Sequence, residues 1–194
     1  MSDDLSARVE FLIETDKLKS VLRRNMPAHL DRQENSAEHS WSLAIMAMLF
    51  AHLSDVPVSL EKVLQIVAVH DIVEIHAGDT FCYDAAANED KLLREQQAAD
   101  ILFGDLPPEA SAHFRRLWEE FEEGQTAEAR FANALDRMLP LLQHRSHDGT
   151  LWKANGVTRE QVLLRIAPVK DASAALHAYA VDLVEEASRA GWLA

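Results

Sequence analysis

Residues 66–81, IVAVHDIVEIHAGDTF, form an apolar run that suddenly carries a His-Asp pair. His70 and Asp71 are adjacent, Glu74 follows one helical turn later, and Gly78-Asp79 ends the run. Residues three and four apart share a helix face, so Asp71 and Glu74, and His70 and Glu74, project in related directions. Ile66, Val67, Val69, Ile72 and Val73 around them are apolar, which predicts a largely buried helix. A buried carboxylate is costly unless it is paired or binds a cation. Three groups capable of ligation or acid–base work in one apolar helix point to a metal site.

Outward from this stretch, Ser59 is placed to cap the helix and Gly78 to close it, so one continuous helix is expected between them. Upstream, Ser36 precedes a helix to about residue 53, with Ala37 and Glu38 in its first turn. Trp41, Leu43, Ile45, Met46, Leu49 and Phe50 make it apolar nearly all round, which predicts a central position. Residues 5–25 give an amphipathic helix on the stripe Val9, Leu12, Ile13, Leu18, Val21 and Leu22, closing with Arg23-Arg24. Pro27 opens an irregular segment to residue 36 that includes Arg32. Downstream, residues 79–88 read as a loop with Phe81 and Tyr83. Helices are expected over about 89–103, from Pro107-Pro108 to Gly124, from Thr126 to about 144, over 158–166 and over 172–190. No strand pattern, internal repeat or linker is evident. The expectation is an all-α fold: one compact helical-bundle domain over 1–194, of roughly seven to nine helices. Its metal-site core spans about 37–147, with the N-terminal helix 5–25 and the C-terminal helices 158–190 packed on it.

The 194 residues are 48% apolar and 26% charged, as in globular domains able to bury a core. A formal net charge of −13 argues against a nucleic acid polymer as partner, because such binding needs clustered Lys and Arg. An anionic small substrate must therefore find local positive charge, from Arg or a metal. Cys82 is the single cysteine, so no intrachain disulfide can form and a reducing, cytoplasmic setting is expected. The first ten residues are acidic and lack the apolar region of a signal peptide. The longest apolar run, residues 43–53, is interrupted by His52 and too short for a bilayer, so no membrane partner is expected.

Four separated residues stand out as inward-facing ligands: His39, His70, Asp71 and Asp136. Two imidazoles and two carboxylates suit one divalent transition metal of mixed N/O preference, such as Mn, Fe, Co, Ni or Zn. Coordination positions would stay open for water or a phosphate oxygen. Each residue alone has a plainer reading: His39 as a capping or surface residue, Asp136 as an ion-pair partner of Arg137 or Arg130. The signal lies in the combination. His144 and His147, three apart at a polar helix end, are a weaker pair; Trp118 and Phe121 read as packing, and Cys82 as an ordinary thiol.

The order H…HD…D, with NSAEHSW (35–41), HDIVEIHAGDT (70–80) and ALDRMLPLL (134–142), resembles the HD-domain superfamily of metal-dependent phosphohydrolases. More narrowly it looks like the branch that includes bacterial and eukaryotic 5′-deoxynucleotidases. LKSVLRRN, FGDLPPE, LWEEFEEGQTAEARFANALDR and the tail from Trp152 look like that branch too, so nearly the whole chain is covered. No GYP motif of the cyclic-dinucleotide phosphodiesterases is present. The resemblance implies that His39, His70, Asp71 and Asp136 are the metal ligands and that Glu74 is the catalytic acid beside them. It implies that Asp79 contacts the nucleoside sugar and helps position the reacting group, that Arg23 meets the phosphate, and that the protein is a homodimer. One departure is plain. The deoxynucleotidases carry a Trp soon after that Arg, whereas this chain reads RRNMPAHLDRQEN from Arg23. The deoxyribose-selective contact is therefore open, and Arg24 or Arg32 is available for part of the anion binding.

The expected function is a phosphomonoesterase acting on nucleoside or deoxynucleoside 5′-monophosphates. The cation polarises a phosphoryl oxygen and activates water. Glu74 orients the water or passes a proton, and Arg23 neutralises charge on the phosphoryl group. Plainer roles are a partner to a ligand histidine for Glu74, a solvated helix end for Arg23 and a turn residue for Asp79. The alternatives are hydrolysis of another small phosphate ester or a nucleoside triphosphate, or a non-catalytic module that binds metal and nucleotide.

Overall fold

The computed structural model describes residues 3–194; Met1 and Ser2 of the acidic start lie outside the described residues. The fold is all-α. In chain order the helices are α1 (Asp3–Thr15), α2 (Ser36–Phe50), α3 (Leu60–Val69), α4 (Glu74–Ala77), α5 (Ala85–Asn88) and α6 (Lys91–Gly104). They continue as α7 (Pro108–Glu123), α8 (Ala127–Ser146), α9 (Thr150–Ala154), α10 (Arg159–Ile166) and α11 (Ala174–Arg189). Among the described residues the β-type pairing is one isolated antiparallel bridge, Leu22 with Asn35. No helix among them is long and apolar enough to cross a membrane.

The middle of the molecule is α3. Val63, Ile66 and Val67 are fully buried, and the helix packs on α2, α7 and α8. Burying each such side chain stabilises by about 1.5–3 kcal/mol. Ser59 caps α3, its hydroxyl accepting the Lys62 N–H at 3.4 Å. The expected single helix to Gly78 does not form, however. After His70 the backbone tightens: the N–H groups of Ile72, Glu74 and Ile75 donate to the carbonyls of Val69, Asp71 and Ile72, three residues back. Such a turn has three residues per turn, so Asp71 and Glu74 eclipse on one edge.

Three further expectations are corrected. The first helix ends at Thr15 and passes through a 3₁₀ turn, Asp16–Ser20, into extended chain. That chain is held by Arg23 N–H to Glu34 O (2.8 Å), Glu34 N–H to Asn25 O (2.9 Å) and Ser36 N–H to Val21 O (3.0 Å). Backbone pairing with the approach to α2 outweighs local helix propensity here. On α1, Phe11 is the buried residue, ring to ring with Phe114 at 5.1 Å, and Val9, Leu12 and Ile13 are exposed. Second, α2 is not buried all round: Leu43, Met46 and Ala47 face the core, while Trp41 is 68% exposed and Met48 and Leu49 also face outward. Its cap is Asn35 rather than Ser36, in a capping box with Glu38. Third, the described residues hold eleven α-helices, because α4, α5 and α9 form within segments expected to be a helix end or turns. The C-terminal helix is tied back to the α2–α3 connection: Ser173 Oγ donates to Leu53 O at 2.7 Å, and Asp55 Oδ2 accepts the Ala174 N–H at 2.8 Å.

Candidate metal centre and its cleft

Three elements bring His39, His70 and Asp136 together. His39 lies in the first turn of α2, just after the Asn35 capping box, and is fully buried. His70 ends α3. Asp136 is on α8, four residues before Pro140, whose missing N–H leaves the Asp136 carbonyl without its usual helical donor. One ligand atom from each of the three side chains lies within 4.8 Å of the others.

The tautomers suit ligation. His70 Nδ1 is 3.0 Å from the Val67 carbonyl. A carbonyl can only accept, so Nδ1 carries the proton and Nε2 keeps its lone pair. That buried Nε2 has no hydrogen-bond partner. His39 Nε2 is 3.0 Å from Asp136 Oδ1, and its Nδ1 stands 3.4 Å from Glu34 Oε2. Glu34 is only 1% exposed, and its other oxygen accepts from Gln143 Nε2 at 2.6 Å. A carboxylate behind a ligand imidazole fixes its ring and proton. Glu34 and Gln143 are absent from the sequence reading. The one signal for them was an acid immediately before the cap of the helix that bears His39.

Asp71 is adjacent but outside the tight group of three. One oxygen accepts from Arg23 Nη1 at 2.6 Å, and the other is 3.1 Å from His70 Nε2. Glu74 is buried, and Ser36 Oγ donates to its Oε2 at 2.6 Å. Arg23 reaches this cluster because it sits in extended chain, where side chains alternate: Leu22 and Arg24 point out and Arg23 in. Its guanidinium also lies 3.7 Å from Asp79, 3.8 Å from Glu74 and 3.9 Å from Asp136. Arg24 stacks over Phe81 at 5.1 Å. Arg32 is elsewhere, on the exposed surface in a two-pronged pair with Glu38, and is not in the cleft.

The electrostatics separate the carboxylates. Burial pushes Glu74 well above the usual carboxylate range; Asp71 adds to this, and Arg23 opposes it. Burial likewise raises Asp79, against the pull of Arg23. Burial would raise Asp136 too, but the His39 hydrogen bond and the Arg165 charge hold it well below. Both ligand-type histidines are raised: burial opposes their charged forms, but the neighbouring carboxylates prevail. Two imidazoles and a carboxylate are positioned to hold a metal ion, and one nitrogen of each imidazole, His39 Nδ1 and His70 Nε2, is buried with no hydrogen-bond partner.

Above this floor is a cleft of about 120 Å³. Phe81 and Tyr83 meet edge to face in its wall at 5.4 Å. Phe121 packs on the His70 ring at 4.7 Å, whereas Trp118 is plain core. His144 lies against Trp152 at 4.4 Å and His147 bonds the Pro27 carbonyl, so they form no second ligand group among the described residues.

A family model for the HD domain matches residues 15–177. The chain is 31% identical over 136 residues to the 5'-deoxynucleotidase HDDC2 of Xenopus laevis, covering 70% of this chain and 66% of that relative. With the 5'-deoxynucleotidase HDDC2 of Homo sapiens it is 30% identical, covering 70% and 65%. The chain thus spans slightly less than two thirds of the length of these relatives. Among solved structures, a protein from Magnetospirillum magnetotacticum MS-1, described as a predicted metal-dependent phosphohydrolase, superposes with a TM-score of 0.94 at 46% identity, covering 98% of this chain and 96% of that one. An HD-domain phosphohydrolase from Listeria innocua shares the fold, with a TM-score of 0.63 at 14% identity over 94% and 86% of the two chains.

Proposed function

The chain belongs to the HD-domain family, and on that premise we propose that it is a metal-dependent phosphomonoesterase acting on nucleoside or deoxynucleoside 5′-monophosphates. The observation that carries this reading is the convergence of His39, His70 and Asp136 beside a cleft that His70, Asp136 and Glu74 line. These three, with Asp71, would hold one divalent transition cation of the Mn, Co, Fe, Ni or Zn type. When bound, the cation supplies Lewis-acid activation of a phosphoryl oxygen and of the attacking water.

Glu74 does the proton work. Its raised proton affinity suits a group that takes a proton from water and passes it to the leaving alcohol. The Ser36 hydroxyl fixes the carboxyl for that transfer. Arg23 and Asp79 contact the substrate from the same wall. The edge-to-face pair Phe81 and Tyr83 offers an apolar flank for the nucleoside. The net charge of −13 supports a small nucleotide rather than a nucleic acid polymer as substrate. We read residues 1–194 as one domain acting in the cytoplasm, away from membranes, as a homodimer. Two exposed apolar faces support the dimer: Leu5, Val9, Leu12 and Ile13 on α1, and Trp41, Met48 and Leu49 on α2. Sedimentation equilibrium tests it, with twice the 21.7 kDa chain mass expected and a single chain mass opposing it.

The function is tested by phosphate release from a panel of ribo- and deoxynucleoside mono-, di- and triphosphates. Metal-stripped protein is resupplied separately with Mn, Co, Ni, Zn and Mg. Metal-dependent release from monophosphates is expected. Release from triphosphates alone moves the activity to another ester class, and no release from any, with metal bound, leaves a non-catalytic binding module.

A further inference from the structure

Arg137 and Arg165 line the part of the cleft formed by α8 and α10. Arg165 Nη2 is 3.2 Å from Asp136 Oδ2, its single ion pair within 4.0 Å among the described residues. Arg137 makes none within that distance, and its Nε is buried with no hydrogen-bond partner. Of the other cations of the cleft, two are held by carboxylates and one by a ring. Arg23 lies within 4.0 Å of four carboxylates, Lys91 is 3.2 Å from Glu95, and Arg24 lies over the Phe81 ring.

A buried donor without an acceptor is costly, and two like charges on one wall repel unless an anion joins them. Asp136 is a poor permanent partner, since its other oxygen is 3.0 Å from His39 Nε2 within the candidate metal group. A phosphate ester entering the cleft must also pass Asp71, Glu74 and Asp79, whose charges Arg23 alone does not offset. Positive charge elsewhere on the wall would add to what the cation and Arg23 supply.

We propose that Arg137 and Arg165 are the phosphoryl-binding pair of this cleft, receiving the anionic oxygens of the substrate beside Asp136. Planar guanidinium groups recognise phosphate oxygens by paired N–H donors, which gives direction as well as charge. The role deepens the phosphomonoesterase reading and rests on it for the identity of the ester. Arg23 still contacts the substrate while it holds the carboxylates in register, and two residues from a different part of the chain add to the positive charge that the substrate meets.

The test is a calorimetric titration of the metal-loaded full chain with inorganic phosphate, alongside KM and kcat for a nucleoside 5′-monophosphate. The proteins are wild type, Arg137→Gln, Arg165→Gln and Arg165→Lys, with metal content measured in each. The phosphate Kd and the KM are expected to rise at least tenfold in both Gln variants, with metal retained and Arg165→Lys partly restored. Unchanged Kd and KM in both Gln variants overturn the proposal. Should Arg165→Gln shed metal, Arg137→Gln decides the matter, since it has no carboxylate contact within 4.0 Å. Phosphate binding that depends on the pair without turnover of any nucleotide keeps this inference and removes the nucleotidase reading. Turnover with a KM indifferent to the pair does the reverse.

Discussion

On our account His39 offers Nε2 to a cation while Nδ1 holds the proton, and the Glu34 carboxylate, 3.4 Å from Nδ1, favours that tautomer by its charge. Glu34→Ala is therefore expected to weaken metal affinity about 10- to 100-fold, as loss of such supporting carboxylates does; competition with a chelator measures it. His144 gives a prediction of a different kind. Burial, then the charge of His147, pulls its pKa from 6.5 down to about 4. Between those values the unfolded chain binds a proton that the folded one refuses, so stability is full above pH 6.5 and falls as the pH drops toward 4. His144→Phe keeps a ring on Trp152 and removes that slope. Urea unfolding of the metal-free proteins in pH steps should show the variant gaining on wild type by ~3 kcal/mol as pH 4 is approached. At this scale the sequence pointed to buried polar groups that the structure brings together, because His39, His70, Asp136 and Glu74 are costly to bury without a use. Glu34 and Gln143 escaped because one lies in a loop and the other among ordinary polar helix residues. Arg137 and Arg165 escaped because a lone Arg on an amphipathic helix looks like solvated surface.

Each element holds its part of the site by a local device. The Asn35 cap fixes the first turn of α2, where His39 lies. Asn35→Ala should lower stability by about 1 kcal/mol, a Tm drop of roughly 2–4 °C by thermal unfolding. Activity should fall further than that loss explains, because the frayed turn carries a ligand. Caps were the legible part of the elements: Ser59, Thr126 and Thr158 start α3, α8 and α10, and Gly124, in the left-handed conformation, stops α7. The illegible boundaries lack such residues. Nothing at Thr15 or at His70 signals a stop. The first helix yields to a pairing between residues 21–25 and 34–36, and the helix of His70 tightens where Asp71 meets Arg23. Both contacts are long in sequence, and periodicity sees only neighbours.

Over the whole molecule the site is a concentration of charge in an apolar bundle. Asp71, Glu74 and Asp136 are buried beside two imidazoles, balanced by Arg23 and, on our account, by a cation. A cation that binds only the folded chain stabilises it by mass action, about 2.7 kcal/mol at a hundredfold excess over Kd. Chelation is accordingly expected to lower Tm and re-addition of metal to restore it, in wild type but not in His39→Ala. The all-α class was readable because it follows from composition, and the candidate ligands because polar groups in apolar helices are costly to bury. Which face of α2 is left open, and which arginines face the cleft, follow from how helices far apart in sequence meet. The central claim is that the cation is held without Glu74 while the reaction needs it. The measurement is metal content and phosphate release on the same sample of Glu74→Gln. We predict about one equivalent of metal, as in wild type, with kcat reduced by roughly 10²–10⁴-fold. Near-normal turnover with metal in place would contradict the mechanism, and loss of the metal would make Glu74 a support of the site rather than its proton carrier.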